Sequence, residues 1–276
     1  MITVLCQGGL GNQMFIYAMG LAQAWRLGTN LTIDVTRCEL PNSRNYALSL
    51  WYGPTGKAIV RHTLGTVKED GLPYNQSLVD KIKNGDCLEG YWQTERYFQG
   101  MRRELLSDFH PRLPMTGRAF DLLRKIGAEG PRSAFLSVRR GDYVNNPIHK
   151  AVHGVSLDYY YLVAAARVAA HTPNPHFFVF TDDPEWCKQN FKLPFRFTVV
   201  DGIDQTTREH LGREDEDIWM MSRCHHAVMA NSSFSWWGAW LSPLPDEDRI
   251  VVAPRRWFLT QDLDSKDIIP ERWIRI

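Results

Sequence analysis

The sequence predicts an α/β protein made of two halves, each carrying a parallel sheet. Three observations point there. Apolar runs of strand length alternate with helical stretches along the whole chain, the pattern of β–α–β units in a doubly wound sheet. Most of these runs end in glycine, arginine, aspartate or small hydroxyl residues, and in open α/β sheets the carboxyl ends of the strands are where ligands bind. A segment rich in glycine and proline, 127–132, separates the halves and predicts domains of 1–130 and 131–276.

Composition narrows the class. The 276 residues are 44% hydrophobic and 23% charged, ordinary for a globular protein. With 32 basic and 31 acidic residues the net charge is +1, so no broad surface for nucleic acid is expected and an anionic ligand must be met by local charge. The five cysteines are odd in number and widely spaced, which predicts free thiols in a reducing compartment. Cys224-His225-His226 groups metal-ligating residue types. Neighbouring helix positions, however, point about 100° apart and do not converge on one ion, so no metal is expected. No apolar run approaches the roughly 20 residues of a membrane span. A cytoplasmic protein is therefore expected. Peripheral attachment to the inner membrane face and the oligomeric state are left open.

In the first half, 2–6 is a strand and 7–13 a glycine-rich turn. Residues 14–27 form a helix, with Phe15, Met19 and Ala22 on one face, ended by Gly28 before a strand at 31–34. Gly9-x-Gly11 and Asp34 match half of a dinucleotide fingerprint, which keeps an NAD(P)-dependent oxidoreductase as a rival function. The third glycine is Met14, and no Gly-Lys-Ser/Thr follows. The plain reading is a tight βα turn; the functional one has Asn12 and Gln13 offering amides to a ligand at a helix N-terminus. Residues 36–86 say little. The segment LEGYWQTERYF (88–98) is more pointed: Tyr91, Trp92, Gln93 and Glu95 combine aromatic faces with an amide and a carboxylate, which suits sugar rings. The competing reading puts Tyr91, Trp92, Tyr97 and Phe98 in the core. A non-catalytic glycan-binding module would use the same residues. A helix is expected over 98–126.

The second half opens with FLSVRRGDYV (135–144). Buried strands rarely carry adjacent arginines, because each unpaired desolvated charge costs several kcal/mol. The strand should stop near Val138, with Arg139 and Arg140 at its end. Arginine grips phosphate in a planar, bidentate way. Asp142 can clamp an arginine or take a proton, and an Arg–Asp pair closing a turn is the plain reading. If the chain is still extended there, the two arginines point to opposite sides. A helix is expected over 156–171 and a strand over 176–181. Asp182-Asp183 follow, suited to a ribose diol, to guanine N–H groups, or to capping the helix that opens with Pro184. A further strand covers 197–201. The acidic run 214–217 reads as a charge bias before a helix over 218–226. After a strand at 227–230 come Asn231, Ser232, Ser233 and Phe234, leading into a helix whose Trp236, Trp237 and Trp240 read as core. Backbone N–H groups and hydroxyls there make a ready phosphate site. A last strand covers 249–253, Arg255-Arg256-Trp257 follow it, and the tail 268–276 packs back on the body.

Arginines, a carboxylate and hydroxyls thus gather at the strand ends of one sheet, as a nucleotide diphosphate requires. The motifs GGLGNQM (8–14), GYWQ (90–93), VRRGDY (138–143), TDD (181–183) and ANSSFSWW (230–237) resemble the α-1,2-fucosyltransferases of glycosyltransferase family 11, above all bacterial members that decorate surface polysaccharide such as O-antigen. The resemblance runs the length of the chain. It implies a GT-B-like fold, two Rossmann-type domains facing across a cleft. It also implies transfer of L-fucose from GDP-β-L-fucose to the 2-hydroxyl of a galactose-terminated acceptor, with inversion and without a required metal. Arg139 is then expected on the pyrophosphate, with Arg140 beside it, and Asn12, Gln13, Asn231, Ser232, Ser233 and Phe234 around the donor. Asp182 is expected on guanine; Tyr91, Trp92, Gln93 and Glu95 on the acceptor; Asp142 or Glu95 as general base, unless the leaving phosphate takes the proton. Where the family has His, two residues before the first arginine, this chain has Ser137.

Overall fold

The computed structural model describes residues 1–55, 57–58, 64–140, 158–200, 213–260 and 262–276. They form two compact units, Met1–Leu113 with Leu263–Pro270, and Pro114–Asp262 with Glu271–Ile276.

The first unit contains β1 (Ile2–Leu5), α1 (Leu10–Arg26), β2 (Leu31–Asp34), β3 (Lys57–Ala58), β4 (Gly65–Lys68), α2 (Gln76–Lys81), β5 (Asp86–Glu89) and α3 (Arg102–Asp108). Its sheet has the order β3-β2-β1-β5-β4, every neighbouring pair parallel. Helix α1 starts four residues earlier than the predicted Met14, because the N–H groups of Asn12 and Gln13 bond to the Gly9 carbonyl at 2.9 and 3.0 Å. It lies hard on the sheet: a Cβ at Gly20 would stand 2.4 Å from a methyl of Val4. The chain leaves α1 through Gly28 at φ 60°.

The helix expected over 98–126 is broken. Glu95–Phe98 is a 3-10 turn, α3 ends at Asp108, and α4 (Gly117–Glu129) begins only after Pro111 and Pro114. Proline lacks an N–H and pushes its predecessor out of helical geometry, so the stretch cannot run through. Helix α4 packs on α7 (Glu214–Arg223) and β6 (Ser133–Val138) through Ala119, Leu122 and Ile126. It therefore belongs to the second unit. The units divide at residues 113 and 114 and not at the expected linker 127–132, which is the end of α4 and a short 3-10 turn.

The second unit continues with α5 (Asp158–Ala169), β7 (His176–Thr181), α6 (Pro184–Asn190), β8 (Arg196–Val199), β9 (His226–Val228), α8 (Ser233–Trp240), β10 (Val251–Ala253) and β11 (Ile274–Arg275). The sheet order is β11-β10-β9-β6-β7-β8, all parallel. Read from its other edge this is 3-2-1-4-5-6, the order of dinucleotide-binding doubly wound sheets. β6 and β7 are buried along nearly their full length, which explains their continuous apolar runs. The tail docks as the edge strand β11.

Candidate active site

In a 3-2-1-4-5-6 sheet the strand order reverses between the first and fourth strands, here β6 and β9, and a crevice opens beyond their carboxyl ends. The sequence places Arg139-Arg140 after β6 and Asn231-Ser232-Ser233 just beyond β9.

Parallel register pairs Val138 with Thr181, so Arg139 emerges beside Asp182 and Arg140 beside Asp183. Arg139 Nε lies 3.1 Å from Asp182 Oδ2. Asp182 Oδ1 accepts the backbone N–H of Arg140 at 2.8 Å. Arg140 has other partners: its Nε stands 3.5 Å from Asp183 Oδ2 and its guanidinium lies 3.4 Å over the Trp186 ring. Asp183 also caps α6, accepting from Trp186 N at 3.1 Å. Each arginine thus finds an aspartate. Asp182 is engaged at both oxygens by protein groups, so the sequence reading of an open carboxylate for guanine needs one of these partners to leave. Arg139 keeps a third of its side chain exposed. Ser137 is buried beside Phe180. Asp142 lies outside the described residues.

Beyond β9, Ser232 caps α8 by accepting from Phe234 N at 3.3 Å. The Asn231 amide donates to the Trp257 carbonyl at 2.9 Å, which ties this turn to the segment after β10. Ser232, Ser233 and Phe234 are half-buried, whereas Trp236, Trp237 and Trp240 are core. Tyr160, on α5, sets its hydroxyl 2.7 Å from the Met229 carbonyl and 3.0 Å from that of Val252, beneath the same turn. Nothing in the spacing of Tyr159-Tyr160-Tyr161 singled out Tyr160.

In the first unit the strand order reverses between β1 and β5, and residues from both motifs meet there. Gly8, at φ 76°, leaves room for Asn12 and Tyr91: an added Cβ would lie 2.7 Å from Asn12 Nδ2 and 3.2 Å from Tyr91 Cε1. Gln93 Nε2 donates to Asn12 Oδ1 at 2.7 Å. Two expectations need correction. Gln13 is fully buried and saturated by the chain: Nε2 donates to the Gly8 and Asn45 carbonyls and Oε1 accepts from Ala47 N, all at 2.8–2.9 Å. It shapes the turn and has no open group for a donor. Trp92 is fully buried and packs edge-on to Tyr97 at 5.2 Å, so its ring is core and not a sugar platform. Tyr91 remains 38% exposed and Glu95 half-buried at the start of its 3-10 turn.

Glu69, which the sequence reading passed over, holds this turn. Its oxygens accept from Tyr91 N at 2.6 Å and Trp92 N at 2.9 Å. Burial pushes its carboxyl up, and those two N–H groups pull it back down. The one available signal was Gly90, where a Cβ would stand 2.4 Å from that of Glu69.

The acidic run 214–217 forms the first turn of α7, but three of its members are buried. Arg213 forks onto Asp215 at 3.0 and 3.1 Å; Glu216 accepts from Thr116 N and Oγ1 at 2.7 and 2.8 Å; Arg118 reaches Asp217 at 3.2 Å. The run is thus a packed ion network as well as a charge bias. Among the described residues no cluster of three His, Cys, Asp or Glu is placed to hold a metal ion. All five cysteines are buried and none is bridged. No helix among the described residues is long and apolar enough to cross a membrane.

Solved structures similar to this chain set the class. NodZ α-1,6-fucosyltransferase from Bradyrhizobium, soaked with GDP-fucose, superposes with a TM-score of 0.51 at 14% identity over 88% of this chain and 92% of that one. Arabidopsis thaliana FUT1 in complex with GDP gives 0.51 at 11% identity over 98% and 74%. With its two parallel α/β units, the protein has the GT-B fold of glycosyltransferases. Its sequence is more particular: residues 76–276 match the profile of glycosyl transferase family 11, and the chain belongs to that family. It is 32% identical to an α-1,2-colitosyltransferase of Escherichia coli over 98% of this chain and 96% of that protein. It is 31% identical to the Escherichia coli O-antigen biosynthesis glycosyltransferase WbnK, over 71% and 62%. A galactoside 2-α-L-fucosyltransferase of Bos taurus, SEC1, is 27% identical over 87% and 64%.

Proposed function

We propose that this enzyme transfers L-fucose from GDP-β-L-fucose to the 2-hydroxyl of a galactose on a glycan acceptor, forming an α-1,2 linkage with inversion. The observation that carries the reading is membership of a family whose relatives named above include α-1,2-glycosyl- and galactoside 2-α-L-fucosyltransferases, together with a basic and hydroxyl-bearing turn at the strand-order reversal of a nucleotide-type sheet.

The second unit takes the donor. As the glycosidic bond breaks, negative charge grows on the β-phosphate of GDP and the sugar approaches an oxocarbenium ion. Preorganised donors aimed at that charge lower the barrier. Arg139 supplies one, exchanging Asp182 for a phosphate oxygen; this frees an oxygen of Asp182 to accept from guanine N1–H and N2–H. The N–H groups at the start of α8, with Ser232 and Ser233, supply more. Arg140, held by Asp183 and Trp186, keeps the strand end in place. The first unit takes the acceptor, with Tyr91 offering a face and Asn12 and Gln93 polar groups. Asp142 or Glu95 accepts the proton from the 2-hydroxyl, or the departing phosphate does. The unbridged cysteines fit a reducing, cytoplasmic setting.

The test is GDP release from GDP-fucose with EDTA present, with lactose and without acceptor, followed by product linkage from NMR. Acceptor-dependent release and an α-1,2 product are expected. Absence of GDP binding overturns the donor reading. A second reading, favoured by the 32% identity to a colitosyltransferase, gives the donor as the GDP ester of colitose, which lacks the 3-hydroxyl of fucose. Competition between the two donors decides it: preference for the 3-deoxy sugar replaces fucose and leaves the chemistry unchanged.

A further inference from the structure

Glu69 spends both carboxylate oxygens on backbone N–H groups. Glu69 sits at the carboxyl end of β4, its own N–H bonded to the Glu89 carbonyl at 2.8 Å. Its oxygens take the successive N–H groups of Tyr91 and Trp92. Among the described residues no cation is paired with it.

The turn it grips is strained. Trp92 has φ 56°, a region costing a side-chain-bearing residue roughly 1–2 kcal/mol. Such conformations persist where the surroundings over-determine them, and they gather at functional sites. Here the indole is locked in the core while Glu69 holds the backbone N–H groups of residues 91 and 92. Of the residues flanking Trp92, Tyr91 stands exposed against Gly8, while Gln93 is largely buried and donates its amide to Asn12. Gly90 is required because any side chain there would occupy the space of the Glu69 stem.

We propose that Glu69 is a positioning residue for the acceptor, fixing the 90–93 turn so that the exposed Tyr91 ring and the Gln93–Asn12 pair keep the geometry the acceptor sugar meets. The inference rests on the acceptor reading of that turn. Without the carboxylate, Trp92 relaxes toward negative φ, the Tyr91 ring leaves Gly8 and the Gln93–Asn12 bond opens. Misplacement of about 1 Å in a positioning group can cost on the order of 100-fold in rate.

The test compares wild type, Glu69→Gln, Glu69→Ala, Gln93→Ala and the Glu69→Ala/Gln93→Ala double variant. Acceptor and donor are titrated separately, with GDP binding and the thermal midpoint measured alongside. Expected is a rise of roughly 10-fold or more in acceptor KM for Glu69→Ala and a smaller rise for Glu69→Gln, which keeps the shape and one accepting oxygen. Donor KM and GDP affinity should stay within about 2-fold, and the double variant should be little worse than Gln93→Ala, because the two act through one turn. An unchanged acceptor KM, or donor and acceptor KM rising together with a falling midpoint, overturns the inference while leaving the enzyme's function intact. A wild-type protein that binds GDP but transfers to no galactoside overturns the acceptor reading and this inference with it.

Discussion

Arg139 and Asp182 face each other across the ends of two adjacent parallel strands, Nε 3.1 Å from Oδ2. Neither is deeply buried, so the pair is worth little to stability and remains exchangeable. A ligand phosphate can take the carboxylate's place. Arg139→Ala should lower transfer by at least ~100-fold, the scale of losing one preorganised anion donor. The thermal midpoint should hardly change. Steady-state rates beside a melting curve check this, and full activity in the variant would remove Arg139 from the donor site.

Arg140 should behave differently. Its guanidinium stacks on Trp186 and stands 3.5 Å from Asp183, although its buried Nε makes no hydrogen bond among the described residues. Trp186→Leu keeps an apolar side chain but removes the ring, at a cost of roughly 0.5–2 kcal/mol for the lost cation–π contact. Chemical denaturation should read that loss, with donor KM raised only a few-fold. A 100-fold loss of activity with unchanged stability would put Arg140 on the ligand instead.

Gly8→Ala tests the meeting of the two first-unit motifs. The residue lies at φ 76°, and an added Cβ would stand 2.7 Å from the Asn12 amide. Positive φ alone costs roughly 1–2 kcal/mol, and Asn12 or Tyr91 must move as well. A lower thermal midpoint and a higher acceptor KM are expected together, with GDP affinity retained.

Asp217 predicts a pH dependence of stability. Burial pushes its carboxyl up to about 6, offset in part by Arg118. The folded state therefore holds the proton more tightly than the unfolded chain, whose carboxyl titrates near 3.8. Its contribution is full below about pH 4 and is lost as pH rises through 6. Asp217→Asn removes that dependence. The unfolding free energy of wild type relative to the variant should fall by on the order of 2–3 kcal/mol between pH 4 and pH 7. Urea titrations at four pH values measure it, and a flat difference would count against a protonated Asp217.

Much of the second unit was legible. Continuous apolar runs mark β6 and β7 because a sheet buried on both faces needs no alternation. Arginines side by side had to lie at a strand end, since burying both would leave charges unpaired. Asp183 could be read as a cap because Pro184 suits the first helical position. The first unit was read less well. Its strands are short, and β3 and β4 carry few apolar residues. Two prolines, Pro111 and Pro114, break the helix expected over 98–126, and the boundary between the units falls at that break.

By itself the sequence determined the alternation of strands and helices, the polar motifs at strand ends and the family. These depend on local periodicity and on residue types that water or a ligand must satisfy. Only the tertiary structure decided which of those motif residues are open. Gln13 and Trp92 look like ligand residues in the motif, yet the fold closes on both. Glu69 looks like any surface acid, yet the fold turns it onto the backbone of residues 91 and 92. The reason is physical: a polar group's availability depends on which partners long-range packing brings within 3 Å, and those partners lie far away along the chain.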